Sequence, residues 1–595
     1  MLSKNYYTGG CEFTHWSRRH VLRHCRLRPI DARAGASMSI AVVSILPGAS
    51  PRLGPNAVAR RRVSIRGGRQ SSAAPIVLRA MAAPAGAHVS GAPADLSDDA
   101  VRSMRDEAVS WAAQHGLLVG LESDESGRAM CASFTHAPMS LLPTPFPRDV
   151  FELALRVSPS FAALSDAVSR DDEFLRTTLA GVVKTDDFTR RIWDIYERCG
   201  GQEGRHPMEL GILRSDYMLD EPSGLPLQVE VNTVSTSFMA LSTKVGEMHR
   251  HTISHAGLVR HYADEDEDED EDLEKDEDAN LDDEAKLQRV LPLNRALECA
   301  ADTLAAGWRA MNDDDAKILF VVQPNERNVF DQRIIAQRLW TKHGIASIRA
   351  TLREIDANAA VDQTTKRLTY GASDGRRDAI SVVYYRAGYA PTDYPGEEEW
   401  RARELLEKSS AVKSPSAAMH LAGCKKIQQA LAQPGVLERF VDDVGECAEM
   451  RKVFAGLYAM DGEEAMEAVK LGLENPGAYV LKPQREGGGN NLYGDELVDA
   501  LKTYDPAASP GEPGDLSAYI LMQRIFPPSH STLCLRGGEL VRLETLSELG
   551  VYGGYLRVGD AVVMNEVGGH LLRTKAATSD EGGVAAGYAV LDSPL

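Results

Sequence analysis

The sequence predicts a mixed α/β (α+β) fold, and three observations support this prediction. In the middle of the chain, short apolar runs alternate with stretches of helical periodicity, which is typical of helices packed on partly parallel sheets. Beyond about residue 420 the pattern changes to short strands separated by glycine-rich loops, which predicts a mostly antiparallel sheet. Residues 95 to about 201 carry helical periodicity almost throughout, which predicts a helical N-terminal region.

The predicted elements follow from apolar spacing and from the turn residues that bound each run. Helices are predicted over Ser97–Gln114, Asp149–Val157, Asp187–Cys199, Asn294–Met311, Val329–His343, Trp400–Leu406, Cys424–Leu431, Ala448–Ala455 and Glu463–Leu473. Strands are predicted over Leu210–Leu213, Leu227–Val231, Lys317–Val322, Ile380–Tyr385, Ala478–Leu481, Tyr519–Gln523, Glu539–Thr545, Gly554–Val558 and Ala561–Asn565.

The composition excludes several classes of protein. Of the 595 residues 43% are hydrophobic and 26% are charged, and the formal net charge is −20. That apolar fraction is too high for a chain that is disordered throughout. No apolar run approaches the roughly 20 residues that span a bilayer, so we expect a soluble protein without a membrane partner. The net acidity argues against a nucleic-acid partner, because phosphate groups require a basic surface.

Residues 1–94 are predicted to form a disordered leader. They contain 14 Lys and Arg against two acidic residues, Glu12 and Asp31. Few acids together with abundant Arg and Ser are the composition of an organelle transit peptide. We therefore predict targeting to a plastid or mitochondrion, with a cytoplasmic location left open. A non-targeting extension is the alternative interpretation.

An acidic tract interrupts the body of the chain at residues 264–284. It contains 16 acidic residues against one cation, Lys275. Repulsion between like charges and the lack of apolar surface predict a disordered insertion in a surface loop. A Ca²⁺-binding EF-hand is excluded because the tract has no glycine for the sharp turn of that loop.

The strongest local signal for chemistry is the segment Tyr479–Gly494. A predicted strand delivers Lys482, and a loop with three consecutive glycines follows. Backbone N–H groups in such a loop can converge on phosphate oxygens, whose charge Lys482 would neutralise. A Walker A loop is excluded because the lysine precedes the glycines. The segment therefore predicts a phosphate-binding lid, with an ordinary flexible turn as the simpler alternative.

Two polar residues alternate with valines in the predicted strand Leu227–Val231 and just beyond it. Glu230 and Asn232 would point to the same face of the strand. A carboxylate beside an amide oxygen suits Mg²⁺, which prefers hard oxygen ligands and shares them with nucleotide phosphates. Glu486 in the glycine loop would add a third oxygen if the fold brings the two segments together. Glu548 is a candidate acceptor for a hydroxyl or amino group of a nucleotide.

Cationic residues near the C-terminus predict a site for anionic substrates. Arg573 and Lys575 closely precede a glycine- and alanine-rich loop at residues 582–587, which suits a tight pocket for an anion. A helix end followed by a turn is the alternative. Arg214 and Arg386 are further candidates for bidentate binding of carboxylates.

Nine segments, in this order along the chain, resemble the eukaryotic-type glutathione synthetase family. They are RSDYM (214–218), VEVNTVSTSF (229–238), ERNVFDQR (326–333), VVYYRAGY (382–389), LAGCKKIQQ (421–429), LKPQREGGGNNLYG (481–494), SELG (547–550), HLLRTK (570–575) and GGVAAG (582–587). The resemblance runs from about residue 97 to the C-terminus, and the leader and the acidic tract fall outside it.

The resemblance implies an ATP-grasp fold with an inserted, smaller α/β substrate-binding domain, and a homodimer. The implied domains are 95–315 and 423–595 for the ATP-grasp body and 316–422 for the insertion, after the leader. The implied reaction joins γ-glutamylcysteine and glycine, with ATP as co-substrate and Mg²⁺ as cofactor, to give glutathione, ADP and phosphate through an acyl phosphate.

The resemblance also assigns roles to individual residues. The implied Mg²⁺ ligands are Glu230, Asn232 and Glu486. The implied ATP contacts are Glu230, Lys425, Lys482, Asn491, Tyr493, the hinge Met522, Gln523, Arg524 and Ile525, and Glu548, Lys575 and Glu581. The implied peptide contacts are Arg214, Ser235, Ser237, Glu326, Arg327, Asn328, Gln332, Arg386, Tyr389, Arg573, Val584 and Ala585. Arg573 and Glu486 are the implied catalytic residues, and Arg573 would stabilise charge in the transition state.

Two other functions stay open at this point. A different ATP-grasp ligase could join another acid and amine, although Ala585 and Ala586 resemble the glycine-accepting form rather than the β-alanine-accepting one. A non-catalytic nucleotide-binding or acidic interaction protein would bind nucleotide without turnover and would depend on residues 264–284.

Overall fold

A computed structural model describes residues 96–121, 133–263, 282–371, 375–485, 490–579, 584, 587 and 589–595. All of them belong to one compact unit, which spans residues 79–595. The predicted leader, nearly all of the acidic tract, and the predicted site residues Glu486, Glu581 and Ala585 lie outside the described residues.

The described residues form sixteen α-helices. They are α1 (Asp98–His115), α2 (Arg148–Ser169), α3 (Asp172–Thr185), α4 (Asp187–Arg198), α5 (Met239–His255), α6 (Val259–Ala263), α7 (Asp283–Val290), α8 (Ala296–Ala310), α9 (Val329–His343), α10 (Leu352–Asn358), α11 (Glu397–Lys408), α12 (Ala417–Ala422), α13 (Lys425–Ala432), α14 (Val444–Lys452), α15 (Ala465–Glu474) and α16 (Gly494–Lys502). None of these helices is long and apolar enough to cross a bilayer.

The same residues form eighteen strands. They are β1 (Leu118–Gly120), β2 (Phe134–His136), β3 (Met139–Ser140), β4 (Met208–Asp220), β5 (Leu225–Asn232), β6 (Lys317–Val321), β7 (Ser347–Ala350), β8 (Ala359–Val361), β9 (Leu368–Gly371), β10 (Arg377–Tyr385), β11 (Val412–Ser414), β12 (Leu457–Ala459), β13 (Tyr479–Pro483), β14 (Tyr519–Gln523), β15 (His530–Arg536), β16 (Glu539–Val558), β17 (Ala561–Ala576) and β18 (Ala589–Asp592).

A seven-stranded sheet forms the centre of the described structure. Its strand order is β15-β3-β18-β17-β16-β4-β5, and every pair except β3–β18 is antiparallel. The long strands β16 and β17 form a hairpin at its middle. Strand β5 lies at one edge, so its residues can face both this sheet and the elements beyond it.

A six-stranded, partly parallel sheet is built from residues 317–414. Its order is β7-β6-β10-β9-β8, and β11 also pairs with β10. Strands β6, β7, β10 and β11 run parallel to one another, while the pairs β10–β9 and β9–β8 are antiparallel. Parallel strands need helical crossovers, and α9 and α11 lie between the strands in the chain. The sheet lies within the predicted inserted domain 316–422, whose boundaries stay predictions.

A small antiparallel sheet of order β12-β14-β13 carries the segment with the predicted lid. It contacts the large sheet through β5: the N–H of Gln228 donates to the carbonyl of Val453 at 2.7 Å. The N–H of Glu221 likewise donates to the carbonyl of Phe526 at 3.0 Å, just beyond β14. The two sheets therefore meet near β5, and a cleft at the end of β5 is lined by Thr233, Lys425 and Gln484.

Two apolar clusters hold the large sheet and the six-stranded sheet together. Along β6, Leu319 and Val321 belong to one cluster, while Ile318 and Phe320 belong to the other. This alternation follows from the two-residue period of a strand, and it means that both faces of the sheet are buried. A strand buried on both faces reads as a continuous apolar run, as Lys317–Val322 does in the sequence.

Most predicted elements are confirmed, and the differences lie in length and in missed elements. The predicted strands Glu539–Thr545 and Gly554–Val558 are the two ends of the single strand β16, so their separation was wrong. The sequence prediction also missed helices α3 and α5 and strand β15. The predicted mixture of partly parallel sheets, followed by antiparallel ones, is confirmed.

Candidate active site

Neighbouring strands of the large sheet place the predicted site residues in register. Arg214 on β4 lies opposite Asn232 on β5, and Asp216 lies opposite Glu230. The predicted alternation of β5 is therefore confirmed, because Glu230 and Asn232 share one face with the two β4 residues. On the other side of β4, Gly550 of β16 lies opposite Asp216.

A buried aspartate connects three of these side chains. Asp216 is fully buried, and its carboxylate accepts hydrogen bonds from Arg214 Nε at 2.6 Å and from Arg214 Nη2 at 2.8 Å. It also accepts from Asn232 Nδ2 at 2.9 Å and from Arg573 Nη2 at 2.9 Å. Burial is the largest single influence on the pKa of Arg214 and lowers it, but the charge and hydrogen bonds of Asp216, together with the nearby Tyr552 and Glu230, outweigh burial and raise this pKa above the ordinary value. Both arginines therefore stay cationic.

Strands β16 and β17 bring a second carboxylate to this cluster. Glu548 and Arg573 lie opposite each other in the ladder, and their side chains form an ion pair. Burial raises the pKa of Glu548 above its ordinary value, although the charge of Arg573 acts in the opposite direction. The Nε of Arg573 is buried without a hydrogen-bond partner among the described residues, so the guanidinium retains an unused donor. Lys575, on the same strand face as Arg573, is 9% exposed.

Two lysines from the opposite wall face Glu230. Lys425, the first residue of α13, places its Nζ 3.0 Å from Glu230 Oε2. Lys482 on β13 donates from Nζ to the carbonyl of Val229 at 3.4 Å. Burial opposes ionisation of Glu230, but the charges of Lys425 and Lys482 outweigh burial and hold its pKa well below the ordinary value. Glu230 is therefore ionised, and the two lysines lie within a few ångströms of it.

Both ends of the predicted lid are held by described contacts. At the first end, the Lys425 ammonium donates to the carbonyl of Arg485 at 2.7 Å, and the Arg485 side chain pairs with Asp186. At the second end, Leu492 exchanges two backbone hydrogen bonds with Leu481 of β13, at 3.1 and 3.0 Å. The glycines between these ends lie outside the described residues. The predicted lid thus starts and ends beside Lys425 and Lys482.

The predicted adenine hinge is the end of β14 and the residues after it. Met522 is 2% exposed and packs in an apolar cluster with the small sheet, so its side chain is part of the core. The N–H of Gln523 donates to the carbonyl of Gly456 at 2.8 Å, and the N–H of Arg524 donates to Ala478 at 2.9 Å. These two N–H groups therefore already donate hydrogen bonds within the protein.

Two predicted nucleotide contacts cluster beside this hinge. Asn491 Nδ2 donates to the hydroxyl of Tyr493 at 3.3 Å, and the guanidinium of Arg524 lies 5.3 Å from the centre of the Tyr493 ring. The segment that closes the predicted lid therefore contacts the segment predicted to hold the adenine.

The loop after β5 carries backbone strain beside the predicted peptide site. Ser235 has φ of +54° and Phe238 has φ of +71°, a region that non-glycine residues seldom adopt. Asp331 holds this loop, because its carboxylate accepts from the N–H of Phe238 at 3.0 Å and pairs with Arg386 at 2.9 Å. Ser235 Oγ donates to the carbonyl of Arg386 at 3.1 Å. Strain of about 1–3 kcal/mol per residue persists only where surrounding contacts impose it.

A polar chain from the six-stranded sheet extends toward the same loop. Glu326 accepts from the N–H of Asn328 at 2.8 Å and from Gln332 Nε2 at 2.7 Å. Gln332 Oε1 in turn accepts from Arg349 Nη2 at 2.6 Å. The hydroxyl of Tyr389 accepts from Gln323 Nε2 at 3.0 Å. Hydrogen bonds among these residues thus fix the orientation of their side chains.

Three further residues predicted to contact the peptide make contacts within the protein. Val584 is 4% exposed and packs in one of the two large apolar clusters. Arg327 directs its Nε to the carbonyl of Gly120 at 3.4 Å, on β1. Ser237 accepts the hydroxyl of Tyr552 through its backbone carbonyl at 2.6 Å. Their contacts to substrate therefore rest on the sequence pattern alone.

The described oxygen donors fit a hard divalent cation. Glu230 is ionised, and the NH₂ of Asn232 is used by Asp216, so the amide oxygen is the atom of Asn232 that a cation would contact. Carboxylate and amide oxygens are the ligands that Mg²⁺ prefers. The third predicted ligand, Glu486, lies outside the described residues, directly after Arg485.

Sequence reasoning missed two buried aspartates that organise the cleft. Asp216 stands in the motif RSDYM and Asp331 in ERNVFDQR, but neither was assigned a role. Asp216 lies just beyond the predicted strand Leu210–Leu213, and Asp331 lies at the start of the predicted helix Val329–His343, so the sequence pattern predicted burial for neither. What the sequence alone could not show was which distant arginines approach them.

The fold and site define an ATP-grasp ligase that acts on a carboxylate. The defining features are two sheets beside one cleft, lysines next to the predicted lid, hard oxygen donors and paired arginines. The family model "Eukaryotic glutathione synthase, ATP binding domain" matches residues 98–595. The chain belongs to the eukaryotic glutathione synthase family.

Curated relatives and a solved structure agree with this assignment. The chain is 43% identical over 499 residues to the chloroplastic glutathione synthetase of Arabidopsis thaliana, covering 84% of this chain and 86% of that protein. It is 38% identical over 494 residues to the glutathione synthetase of Homo sapiens, covering 82% and 95%. A glutathione synthetase-like effector from Globodera pallida, solved in its apo form, has the same fold, with a TM-score of 0.62 at 23% identity over 84% of this chain and 98% of that one.

Family membership confirms the predicted ATP-grasp α/β fold class and the predicted enzyme, a ligase that makes glutathione with ATP. The domain boundaries and the roles of individual site residues stay predictions.

Proposed function

We propose that the protein joins the cysteine carboxylate of γ-glutamylcysteine to the amine of glycine in the cleft where its large and small sheets meet. ATP is cleaved to ADP and phosphate in the process. The observation that carries this proposal is the convergence of Glu230, Lys425, Lys482, Arg573 and Asp216 on one cleft, from strands and a helix that are distant in the chain.

The chemistry follows from the weakness of a carboxylate as an acyl donor. One carboxylate oxygen attacks the γ-phosphorus of ATP, and ADP leaves with the electron pair of the broken P–O bond. The glycine nitrogen then attacks the acyl carbon and loses a proton to solvent. Phosphate leaves with the electron pair of the C–O bond, and the amide remains. A site that excludes water protects the acyl phosphate from hydrolysis.

The cations of the cleft have separate parts in this scheme. Lys425 and Lys482 bind the phosphates of ATP, because they lie at the two ends of the lid and next to ionised Glu230. Arg573, with an unused buried donor, stabilises the charge that develops on the acyl oxygen and on the transferring phosphoryl group. Arg386 and the Glu326–Gln332 chain bind the amino-acid end of the peptide.

The adenine lies beside Gln523, Arg524 and Ile525. Because the N–H groups of Gln523 and Arg524 already donate within the small sheet, we propose that the carbonyl oxygens of this segment and the N–H of Ile525 receive the base. Tyr493 and Arg524, which lie against each other, would border the base, and Glu548 on β16 and Lys575 on β17 would contact the nucleotide from the large sheet. Glu581 would add a contact from its loop.

Mg²⁺ is proposed as the cation, held by Glu230, Asn232 and Glu486. When bound, it would neutralise phosphate charge and orient the transferring group. The described residues contribute the hard oxygen donors and fix the orientation of one of them. The arrangement of Ser235 and Ser237 in the strained loop would then hold the peptide near this point.

The direct test uses purified protein with ATP, Mg²⁺ and γ-glutamylcysteine, and with either glycine or β-alanine. Products are identified by mass spectrometry, and ADP is counted against peptide product. We expect glutathione and ADP in a ratio of one to one, with glycine strongly preferred because the loop carries Ala585 and Ala586. ADP release that requires another acid, or a preference for β-alanine, would contradict the proposal.

We also propose that the basic leader targets the protein to a plastid and that the enzyme is a homodimer. The two plant relatives named chloroplastic support the first proposal. An import assay with isolated chloroplasts and mitochondria would test it, since uptake and shortening by mitochondria alone would contradict it. Light scattering at the concentration of the assay tests the second, for which we expect twice the subunit mass.

A further inference from the structure

We propose that Asp216 is a positioning residue for the ligase reaction: its carboxylate sets the amide orientation of Asn232 and holds Arg214 and Arg573 together in the cleft. This inference rests on the proposed function. It concerns a residue to which neither the motifs nor the family resemblance assigned a part.

The amide orientation follows from hydrogen-bond chemistry. An ionised carboxylate can only accept hydrogen bonds, so the side of Asn232 that faces Asp216 must be its NH₂. The carbonyl of Arg214, 3.5 Å from Asn232 Nδ2, is also only an acceptor and imposes the same orientation. The amide oxygen of Asn232 therefore points away from Asp216. That oxygen is the hard donor which a magnesium site beside Glu230 requires.

The two arginines need Asp216 for an electrostatic reason. Arg214 is buried, the side chain of Arg573 is 15% exposed, and both are cationic, so the charge of each disfavours the charge of the other. One carboxylate oxygen of Asp216, Oδ2, receives Nη2 of Arg214 at 2.8 Å and Nη2 of Arg573 at 2.9 Å. A shared anion thus allows two guanidinium groups to approach a common point in a poorly solvated site.

The neighbouring strand leaves space for this arrangement. A Cβ atom on Gly550 would lie 2.7 Å from Cδ of Arg214 and 2.8 Å from Oδ1 of Asp216. Both distances are too short for ordinary contact. Gly550 lies opposite Asp216 in the ladder, so its missing side chain is what admits the Arg214–Asp216 pair. The motif SELG therefore supplies two features of the site: the carboxylate of Glu548, and the space beside Gly550 that the Arg214–Asp216 pair occupies.

The test compares Asp216→Asn with a matched control, Asp166→Asn. Asp166 is also fully buried and accepts from Arg557 Nε at 2.8 Å and from Tyr555 Oη at 2.9 Å, near the far end of β16. Both substitutions remove a buried charge from an arginine, so both should lower the melting temperature. In Asp216→Asn, the new NH₂ can donate to Asn232, which releases its amide to turn.

The decisive measurement is Mg²⁺-dependent ADP binding, by calorimetry without turnover. Removal of a residue that orients a metal ligand typically costs about 10- to 100-fold in metal affinity or activity. We expect Asp216→Asn to need at least about 10-fold more Mg²⁺ for half-maximal ADP binding, with a similar loss in kcat. Asp166→Asn should keep the Mg²⁺ requirement of the wild type.

A second variant covers the case in which Asp216→Asn does not fold. Gly550→Ala keeps every polar group but displaces the Arg214–Asp216 pair, so it should raise the Mg²⁺ requirement in the same direction. Unchanged Mg²⁺ dependence in whichever of these variants folds, or an equal shift in Asp166→Asn, would overturn the positioning role. A wild-type protein that makes no glutathione would instead contradict the proposed function, which keeps the two failures distinct.

Discussion

Lys425 offers a quantitative test of the cleft because its neighbour Lys426 provides a matched control. Both lysines are 5% exposed and both lie in the first turn of helix α13. Lys425 pairs with Glu230 and donates to the carbonyl of Arg485, whereas Lys426 pairs with Asp461. Substitution of each by Met removes one ion pair made by a buried lysine, but only Lys425→Met removes a cation from the cleft.

The expected size of the effect follows from the contacts that are lost. A hydrogen bond to a charged group contributes about 1.5–3 kcal/mol, and each 1.4 kcal/mol is a factor of about ten. Lys425→Met should therefore lower kcat/KM for ATP about 10- to 100-fold. Because the lid also loses its hydrogen bond at the Arg485 carbonyl, we expect most of the decrease in kcat/KM to appear as a higher KM for ATP. Lys426→Met should lower the melting temperature to a similar extent with kcat/KM nearly unchanged.

The assay is ADP release with ATP varied at saturating peptide and glycine, together with thermal melts of both variants. If both Lys425→Met and Lys426→Met keep kcat/KM for ATP within about threefold of the wild type, the proposed phosphate contact is wrong. The proposed contact would also be wrong if both variants lost activity only in proportion to their loss of stability.

Three further predictions concern the lid, the second lysine and a buried histidine. Glu486→Gln should keep the fold but need more Mg²⁺ for activity, and an unchanged Mg²⁺ titration would refute its role as a ligand. Lys482→Met should raise the KM for ATP, since phosphate loses a compensating charge, and unaltered ATP kinetics would exclude that contact. His249 is buried between Ser593 Oγ at 2.6 Å and the Ser140 carbonyl at 3.0 Å, and burial lowers its pKa from 6.5 to about 4. Neutral His249 therefore makes its full contribution to the free energy of unfolding above pH 6.5, and this contribution, about 3 kcal/mol in all, is lost as the pH falls through 4. In urea unfolding, the stability of His249→Gln should depend less steeply on pH in that interval than the stability of the wild type.

Sequence periodicity correctly predicted that Glu230 and Asn232 share one face of β5, because the face of a strand residue is set by a local rule. Glu230 and Asn232 are two residues apart, and a strand places such residues on one side whatever the rest of the fold does. The lysine-plus-glycine pattern of Tyr479–Gly494 is local in the same sense. These signals, with the motif order, were sufficient for the ATP-grasp fold class and the family.

The errors arose where tertiary packing overrides local pattern. Strand β16 was divided in two because its glycines interrupt the strand signal, yet two of these glycines leave space for residues from elsewhere in the chain. Gly550 makes room for Arg214 and Asp216, and a Cβ on Gly554 would lie 2.3 Å from the Thr303 hydroxyl on α8. Asp216 was missed for the same reason, because its partner Arg573 is far away in sequence and adjacent only in the sheet.

The transfer of oxygen from substrate to phosphate tests the proposed reaction most directly. γ-Glutamylcysteine labelled with ¹⁸O in both oxygens of its cysteine carboxylate is converted with unlabelled ATP and glycine, and the phosphate released is analysed by mass spectrometry. An acyl phosphate route predicts one ¹⁸O atom in each phosphate and one in each glutathione amide bond. Unlabelled phosphate formed alongside glutathione would contradict phosphoryl transfer to the carboxylate.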